Sequence, residues 1–536
     1  MKKEFDYIIV GAGSAGCVLA NRLSENPNNS VLVLEAGGKD SHPLIHIPSG
    51  TAKIWKDPKF NWSYMSEPEP FMNNRRLFHP RGKVLGGSSS INMTAYVRGN
   101  KGDYDRWGQM GLTDWTYDKV LPYFKKTENY ITERNEFHGD SGPMKTAIAP
   151  TEDPIFDAYI KAGEALGYTY RDDFNGNDQE GLARMQFTTA EGRRQSAAVA
   201  FLHPALGRQN LQVITRAQVQ RIQFEEIKAV RIEYLVDGRS FVVGANREII
   251  LSGGTFNSAQ LLMLSGVGPS AHLKEHEIKP IVDRKNVGKN LQDHPSVWSE
   301  FERRSFSAFQ RDLRFDRLVV NMLRAHFLRS GPATHPIGLG TGFVKSRPEL
   351  AIPDIQLFFR LFSVQAREWF PFVRKPGPSA IGLMACHLRP ESRGEVTLAS
   401  KNPNDPPKIL NNLLSTEVDR ATMRQGFKIT RALATHPAFS SHLGKEMTPG
   451  EEVQSDQEID SFIRETANTV FHPIGTCRMG IDDDSVVDPE LKVRGCKNLR
   501  VVDASVMPDL VGGNINAPVL MIAEKAAQYI LGLQSA

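Results

Sequence analysis

Cysteine is scarce: four residues, at 17, 386, 477 and 496, in a chain of 536. So few and so far apart, they form no disulfide framework, and no two have metal-ligand spacing. They are expected to be reduced thiols in the core or at the surface. No run of 18 or more apolar residues occurs, which excludes a membrane-spanning helix of ordinary length. Charge of one sign is also lacking. Lys plus Arg number 65 and Asp plus Glu 61, a net charge of +4, too small to point to nucleic acid as a partner. Internal repeats and low-complexity tracts are missing. The opening MKKEFDYIIV imitates a signal peptide, but Asp6 and then glycines interrupt its apolar run. A cytoplasmic location is expected, with peripheral contact at a membrane surface left open by one basic segment.

What is present suits a folded enzyme. Apolar residues make up 40% and charged residues 24%, ordinary for a globular protein. The length allows two or more packed units with a large core. Tyr7–Val10 is a continuous apolar run, as in a parallel strand buried on both faces. Gly11, Gly13 and Gly16 follow as G-x-G-x-x-G. The first permits a tight turn, the second lets a phosphate approach the backbone, and the third lets a helix pack on the strand. Cys17–Leu23 reads as that helix, its N-terminal amides aimed at an anion. A second apolar run, Val31–Leu34, ends in Glu35, placed to accept from a ribose diol. Strand, turn, helix, strand and acid predict a dinucleotide site. They do not choose between FAD and NAD.

Further along, residues 37–80 have no clear period and read as long loops. Residues 212–252 read as a β-meander with an Asp237-Gly238 hairpin turn and a separate last strand, Glu248–Leu251. Gly253-Gly254 then opens a helix. Residues 301–330 carry seven arginines among phenylalanines. They read as an amphipathic helix with a solvated basic face, or as a segment lying on anionic lipid. The aromatic stretch 367–379 reads as a lid or as a surface loop pinned by Trp369 and Phe370. Leu499–Val502 reads as a short buried strand and 518–531 as a terminal helix. The fold class is α/β (α+β), with a Rossmann-like nucleotide domain interleaved with a substrate domain on an antiparallel sheet with helices. The first is assigned 1–40, 80–150, 195–300 and 465–536. The second is assigned 41–79, 151–194 and 301–464.

Two internal signatures carry a resemblance, GKVLGGSSSINMTAYVRG at 82–99 and GTFNSAQLLMLSGVGP at 254–269. With them and the N-terminal glycine motif, nearly the whole chain resembles the glucose–methanol–choline (GMC) flavoprotein oxidoreductases, most closely the choline-dehydrogenase-like alcohol dehydrogenases. Ala259 stands where proline or serine is usual. The resemblance implies FAD. It assigns Gly11, Gly13, Ser14, Ala15 and Gly16 to the pyrophosphate, and Glu35 with Ala36 to the ribose end. Val84, Gly87, Ser88, Asn92, Met93 and Thr94 go to the flavin side, Val219 to the adenine, and Asp503, Ala504, Asn516 and Ala517 to the closing wall. Some relatives attach flavin through a histidine just before the position of Asn92. Here that residue is Ile91, so the flavin is expected to be non-covalent.

An alcohol that gives up a hydride must also lose a proton, and a base near neutral pKa accepts it best. The resemblance gives that role to His472, in FHPIGTC, and makes Asn514 the partner that holds the substrate oxygen. His294, in NLQDHP, reads as structural. The function expected is oxidation of a primary alcohol to an aldehyde by hydride transfer to flavin, with electrons passed to a quinone or O2. An oxidase, a non-redox lyase or photodecarboxylase on the same fold, and a flavin binder without turnover are the alternatives. Met93, bulky beside the expected flavin, tilts the reading towards a dehydrogenase. Phe358, Phe359, Phe362 and Trp369–Phe372 suggest an apolar or aromatic alcohol, and core packing explains them equally well.

Overall fold

The computed structural model describes residues 3–132, 135–148, 153–336, 338 and 340–533. Two large sheets organise it. The first has seven strands in the order 211–215, 31–35, 4–10, 239–251, 228–236, 217–225, with 499–501 also paired to 239–251. Glu4–Val10 runs parallel to Val31–Glu35 on one side and to Arg239–Leu251 on the other. Ile8, Ile9, Val31–Leu34 and Ile249–Leu251 are buried. Helices cover both faces of such strands, which is why their apolar runs are continuous rather than alternating.

The meander is real but shorter than the sequence reading. Leu211–Thr215 pairs parallel with Val31–Glu35 instead of joining it. The expected separate strand 248–251 is the end of one 13-residue strand, Arg239–Leu251. Its first half pairs antiparallel with Lys228–Val236. Its second half pairs parallel with Glu4–Val10 and Leu499–Val501. Asp237 and Gly238 both have positive φ, as a type I′ hairpin turn requires. Residues 37–80 are not all loop: short helices occupy Pro43–His46 and Thr51–Ile54.

The second sheet has eight strands in the order 443–448, 295–303, 380–387, 355–360, 340–344, 181–184, 170–171, with 468–469 also paired to 295–303. It is antiparallel except for the 170–171/181–184 pair. The Glu417–Thr435 helix lies on it, burying Met423, Phe427 and Leu433. Pro295–Arg303 crosses the boundary expected at 300 and lies wholly in this sheet. The pairing of Pro295 with Thr469 matters most for function, because it brings His294 beside the strand that leads to His472.

The basic segment departs from its amphipathic reading. Phe315–Leu323 is a helix, but Phe315, Val319, Val320 and Leu323 are exposed and Asn321 is buried. Its apolar stripe faces outward. Residues 367–374 do not line the main cavity. Trp369 ties them to the surface by donating from Nε1 to Gln310 O, while Phe370 stays exposed. Among the described residues, no helix is long and apolar enough to cross a membrane. The four cysteines form no disulfide; three are buried and Cys496 is half-buried.

Candidate active site

One cavity of about 580 Å³ runs between the glycine turn and the C-terminal segment, within the range of cofactor and ligand sites. Gly11, Gly13, Ser14, Ala15, Glu35, Ala36, Gly87, Ser88, Asn92, Met93, Thr94, Val219, Asp503, Ala504 and Asn516 all line it, together with His472 and Asn514. Gly16, Val84 and Ala517 do not. They are buried behind the wall. Gly16 is there for packing, since a Cβ at that position would sit 1.9 Å from Gly11 O.

The turn is built to receive an anion. Gly11 has φ +98°, which opens the turn beyond the strand. The Ser14–Leu23 helix starts without a side-chain cap, so its first amides have no internal acceptor. A Cβ built on Gly13 finds no atom closer than 3.9 Å, so the backbone there is open to a close-approaching group. Glu35 holds the turn in shape: Oε2 accepts from Ala12 N and Oε1 from Gly37 N, both at 2.8 Å. Burial pushes its carboxyl up to about 7. Ser14 Oγ donates to Asn516 Oδ1 at 2.8 Å, joining the first helix to the last. Asp503 Oδ2 accepts from Gly254 N and Ser258 Oγ, and its Oδ1 accepts from Ser505 N. These residues fit the diphosphate and ribose of a dinucleotide.

At the other end the side chains form a chain of hydrogen bonds. Asn514 Nδ2 lies 3.1 Å from His472 Nε2. His472 Nδ1 lies 3.1 Å from His294 Nδ1, and His294 Nε2 lies 3.2 Å from Leu388 O. An amide nitrogen only donates and a carbonyl only accepts. With both rings neutral, one assignment satisfies every contact. Asn514 donates to His472 Nε2, His472 Nδ1–H donates to His294 Nδ1, and His294 Nε2–H donates to Leu388 O. The lone pair of His472 Nε2 therefore faces the cavity wall. Gln356 Nε2, from the second sheet, lies 3.5 Å from Asn514 Oδ1, consistent with the amide orientation used.

Burial and, less so, the Arg81 charge lower the His472 pKa to about 3. Burial and then the neighbouring His472 hold His294 well below the usual range. Asp293 Oδ1 accepts from the backbone N–H of both histidines at 2.8 Å, fixing the two loops together. Phe471 and Thr94 line the same cavity with positive φ, +66° and +62°. Non-glycine residues held in this way store strain, and such strain collects at functional sites.

His294 thus does more than the sequence reading gave it, because it touches the ring of His472. Arg194 was not singled out at all. It is buried and donates to Ile45 O, Ser89 O, Asn92 O, Asn92 Oδ1 and Thr51 Oγ1. Arg81 and Phe256 also line the cavity. By contrast, Phe358, Phe359, Phe362 and Trp369–Phe372 do not. Phe359 stacks on Tyr159 in the second core and Phe362 stacks on Phe309.

A pH experiment checks the buried, neutral imidazole. Its folded pKa lies below the unfolded value near 6.5, so the unfolded chain binds the extra proton and stability falls as pH drops from about 6.5 towards 3. Glu35 and Asp293, both pushed up to about 7 by burial, give slopes of opposite sign, so the comparison must be differential. Relative to the wild type, His472→Gln is expected to gain in thermal midpoint as pH falls from 7 to 5. A pH-independent difference contradicts the assignment.

Two family models cover most of the chain, both described as GMC oxidoreductase, over residues 5–296 and 390–523. The alcohol dehydrogenase [acceptor] of Pseudomonas putida is 44% identical, covering 98% of this chain and 96% of its own. The oxygen-dependent choline dehydrogenase of Sinorhizobium fredii is 43% identical over 99% of this chain and 96% of its own. Among solved structures, a formate oxidase of Aspergillus oryzae, studied for FAD modification, superposes with a TM-score of 0.91 at 30% identity, covering 99% of this chain and 98% of that one. With glycine turn, cavity and fold all in agreement, the chain belongs to the GMC oxidoreductase family and is an alcohol- and choline-dehydrogenase-like flavoprotein oxidoreductase.

Proposed function

We propose that this protein oxidises a primary alcohol to an aldehyde with non-covalent FAD, His472 as base and a non-NAD electron acceptor. The observation that carries the reading is the Asn514–His472–His294 hydrogen-bond chain at the cavity wall, which assigns His472 Nε2, beside Asn514, as the unprotonated nitrogen. Bound FAD supplies the acceptor for the hydride of the substrate's α-carbon. The alcohol oxygen enters between Asn514 Nδ2 and His472 Nε2 and takes over the amide's hydrogen bond. His472 Nε2 accepts the hydroxyl proton, and His294 Nδ1 keeps the resulting imidazolium oriented by accepting from His472 Nδ1–H. Burial keeps the His472 imidazole neutral at physiological pH, so its Nε2 lone pair is free to take the hydroxyl proton.

The segments 1–40, 80–150, 195–300 and 465–536 are read as the FAD-binding unit and 41–79, 151–194 and 301–464 as the substrate unit, with the whole strand Pro295–Arg303 moved to the substrate unit. Ile91, buried in the cavity wall without a nucleophile, supports a flavin held by non-covalent contacts alone. Met93 in the same wall favours an acceptor other than O2, such as a quinone. Trp55, Phe256 and Phe471 in the lining favour an apolar or aromatic substrate.

Anaerobic mixing with a panel of primary alcohols tests the reading. At least one member is expected to bleach the flavin absorbance, with faster dye reduction than peroxide release once air is admitted. A flavin that no alcohol bleaches would favour non-redox chemistry on the same fold.

A further inference from the structure

The largest unexplained feature lies outside the cavity. Phe306, Phe315, Val319, Val320, Leu323, Phe327 and Leu328 are exposed, and so are Val364, Phe370, Phe372 and Val373. The two groups form one face. Phe315 N donates to Trp369 O at 2.9 Å and Trp369 N to Leu313 O at 3.2 Å, and the Phe306 and Trp369 rings meet edge to face at 6.1 Å. A tight hairpin closes the second group, with Arg374 N donating to Phe370 O at 3.0 Å and Phe370 N to Arg374 O at 3.1 Å. Its tip is apolar. Phe372 is fully exposed at 110% and Val373 at 80%. Phe372 also has φ +63°, a conformation costly for a bulky residue. A strained aromatic held entirely in water has no stabilising role in the isolated protein.

The charge around these residues identifies the partner. Residues 306–329 hold five arginines against two aspartates, and 364–375 hold three cations against one glutamate. The two segments together carry an excess of five positive charges, against +4 for the whole chain, with Arg329 also paired to Glu191 outside them. Arg311, Arg317, Arg324, Arg367, Arg374 and Lys375 are exposed. Cations ringing exposed Phe, Leu and Val, on a helix with its apolar stripe outward, match an interfacial helix on anionic lipid. A second copy of the chain fits poorly, because a two-fold contact would set two such faces against each other. We propose that residues 306–329 and 364–375 dock this protein on an anionic bilayer, with the Phe372-Val373 tip entering the acyl region. Lys53, two residues before cavity-lining Trp55, pairs with Glu368 of the hairpin loop at 2.6 Å, so the docked face adjoins the cavity wall.

The test is vesicle co-sedimentation of the full flavin-loaded chain. Vesicles of phosphatidylcholine alone are compared with vesicles containing about one-third phosphatidylglycerol, at low salt and about 0.5 M salt. Binding is expected on the anionic vesicles, at least about tenfold above the zwitterionic ones, and is expected to weaken in salt. Phe372→Asp combined with Val373→Asp is expected to lower it at least about tenfold, and Arg317→Glu with Arg324→Glu likewise. Both pairs should keep wild-type turnover of a water-soluble alcohol and wild-type flavin content, since none of these residues lines the cavity. Absence of anionic-vesicle binding, or variants that bind as well as the wild type, overturns the proposal. So does a dimer, in sedimentation velocity, that either pair dissociates. Flavin chemistry does not enter the vesicle measurement, so it stands or falls apart from the alcohol reading.

Discussion

Replacing His472 by alanine is expected to cut alcohol turnover by about 10²–10⁴-fold, the contribution of a positioned general base. Flavin content and absorbance are expected to be unchanged, because the groups that fit the dinucleotide lie at the glycine turn and on the Asp503 and Asn516 walls. The loss should fall on flavin reduction in anaerobic stopped flow rather than on reoxidation, and kcat and kcat/KM should drop together, as for an interaction made only in the transition state. A variant reduced by alcohol at the wild-type rate removes His472 from the mechanism. His294→Leu separates orienting from chemistry. The imidazole of His472 remains, but its Nδ1 loses the acceptor that fixes the tautomer, so turnover should fall by less than in His472→Ala.

The largest stability loss is expected at Arg194, which touches neither the nucleotide turn nor the histidine pair. Its guanidinium is buried, and burial lowers its pKa to about 9, yet among the described residues no ion pair to a carboxylate is recorded for it. Five acceptors hold it instead, on the Pro43–His46 and Thr51–Ile54 helices and on the turn that carries Asn92. Arg194→Leu takes this donor from buried Ile45 O, Ser89 O and Thr51 Oγ1, at about 1–3 kcal/mol for each one that finds no substitute, while Asn92 O and Oδ1 keep Thr51 Oγ1 and Thr94 N as donors. A loss of about 3 kcal/mol or more, read from the urea midpoint, is the expected result. Faster flavin loss should accompany it, because Asn92 is fixed by the same guanidinium. Arg194→Lys should recover only part, since an ammonium lacks the planar fork that reaches several acceptors at once. An Arg194→Leu protein with the wild-type midpoint would show that the acceptors find water at no cost.

The legible parts of this molecule are those written in short stretches. The strand, glycine turn, helix and acid at residues 4–35 were read in place, because each step depends on neighbours within a few residues. The hairpin at Asp237-Gly238 was legible for the same reason. The pairing of His472 with Asn514 rests on resemblance, since a separation of 42 residues encodes no distance by itself. His294 reads as structural in the sequence because its contact with His472, across 178 residues, exists only after Pro295 pairs with Thr469. Arg194 gave no signal, since an arginine in a polar segment reads as a surface charge until its acceptors are seen.

The Phe315–Leu323 helix shows where the division falls. Its apolar residues recur at helical spacing, and that periodicity fixes that a helix forms and that it has two unlike faces. Which face turns inward is not a property of the segment. It is set by the segments that pack beside it, the Trp369 loop and the 308–312 and 324–334 helical turns. So the sequence by itself determined the dinucleotide turn and the mixed α/β class, through local dihedral preference and hydrophobic period. Tertiary structure alone decided the His472–His294 contact, the buried Arg194 and the outward apolar face, because each depends on contacts between residues distant in the chain.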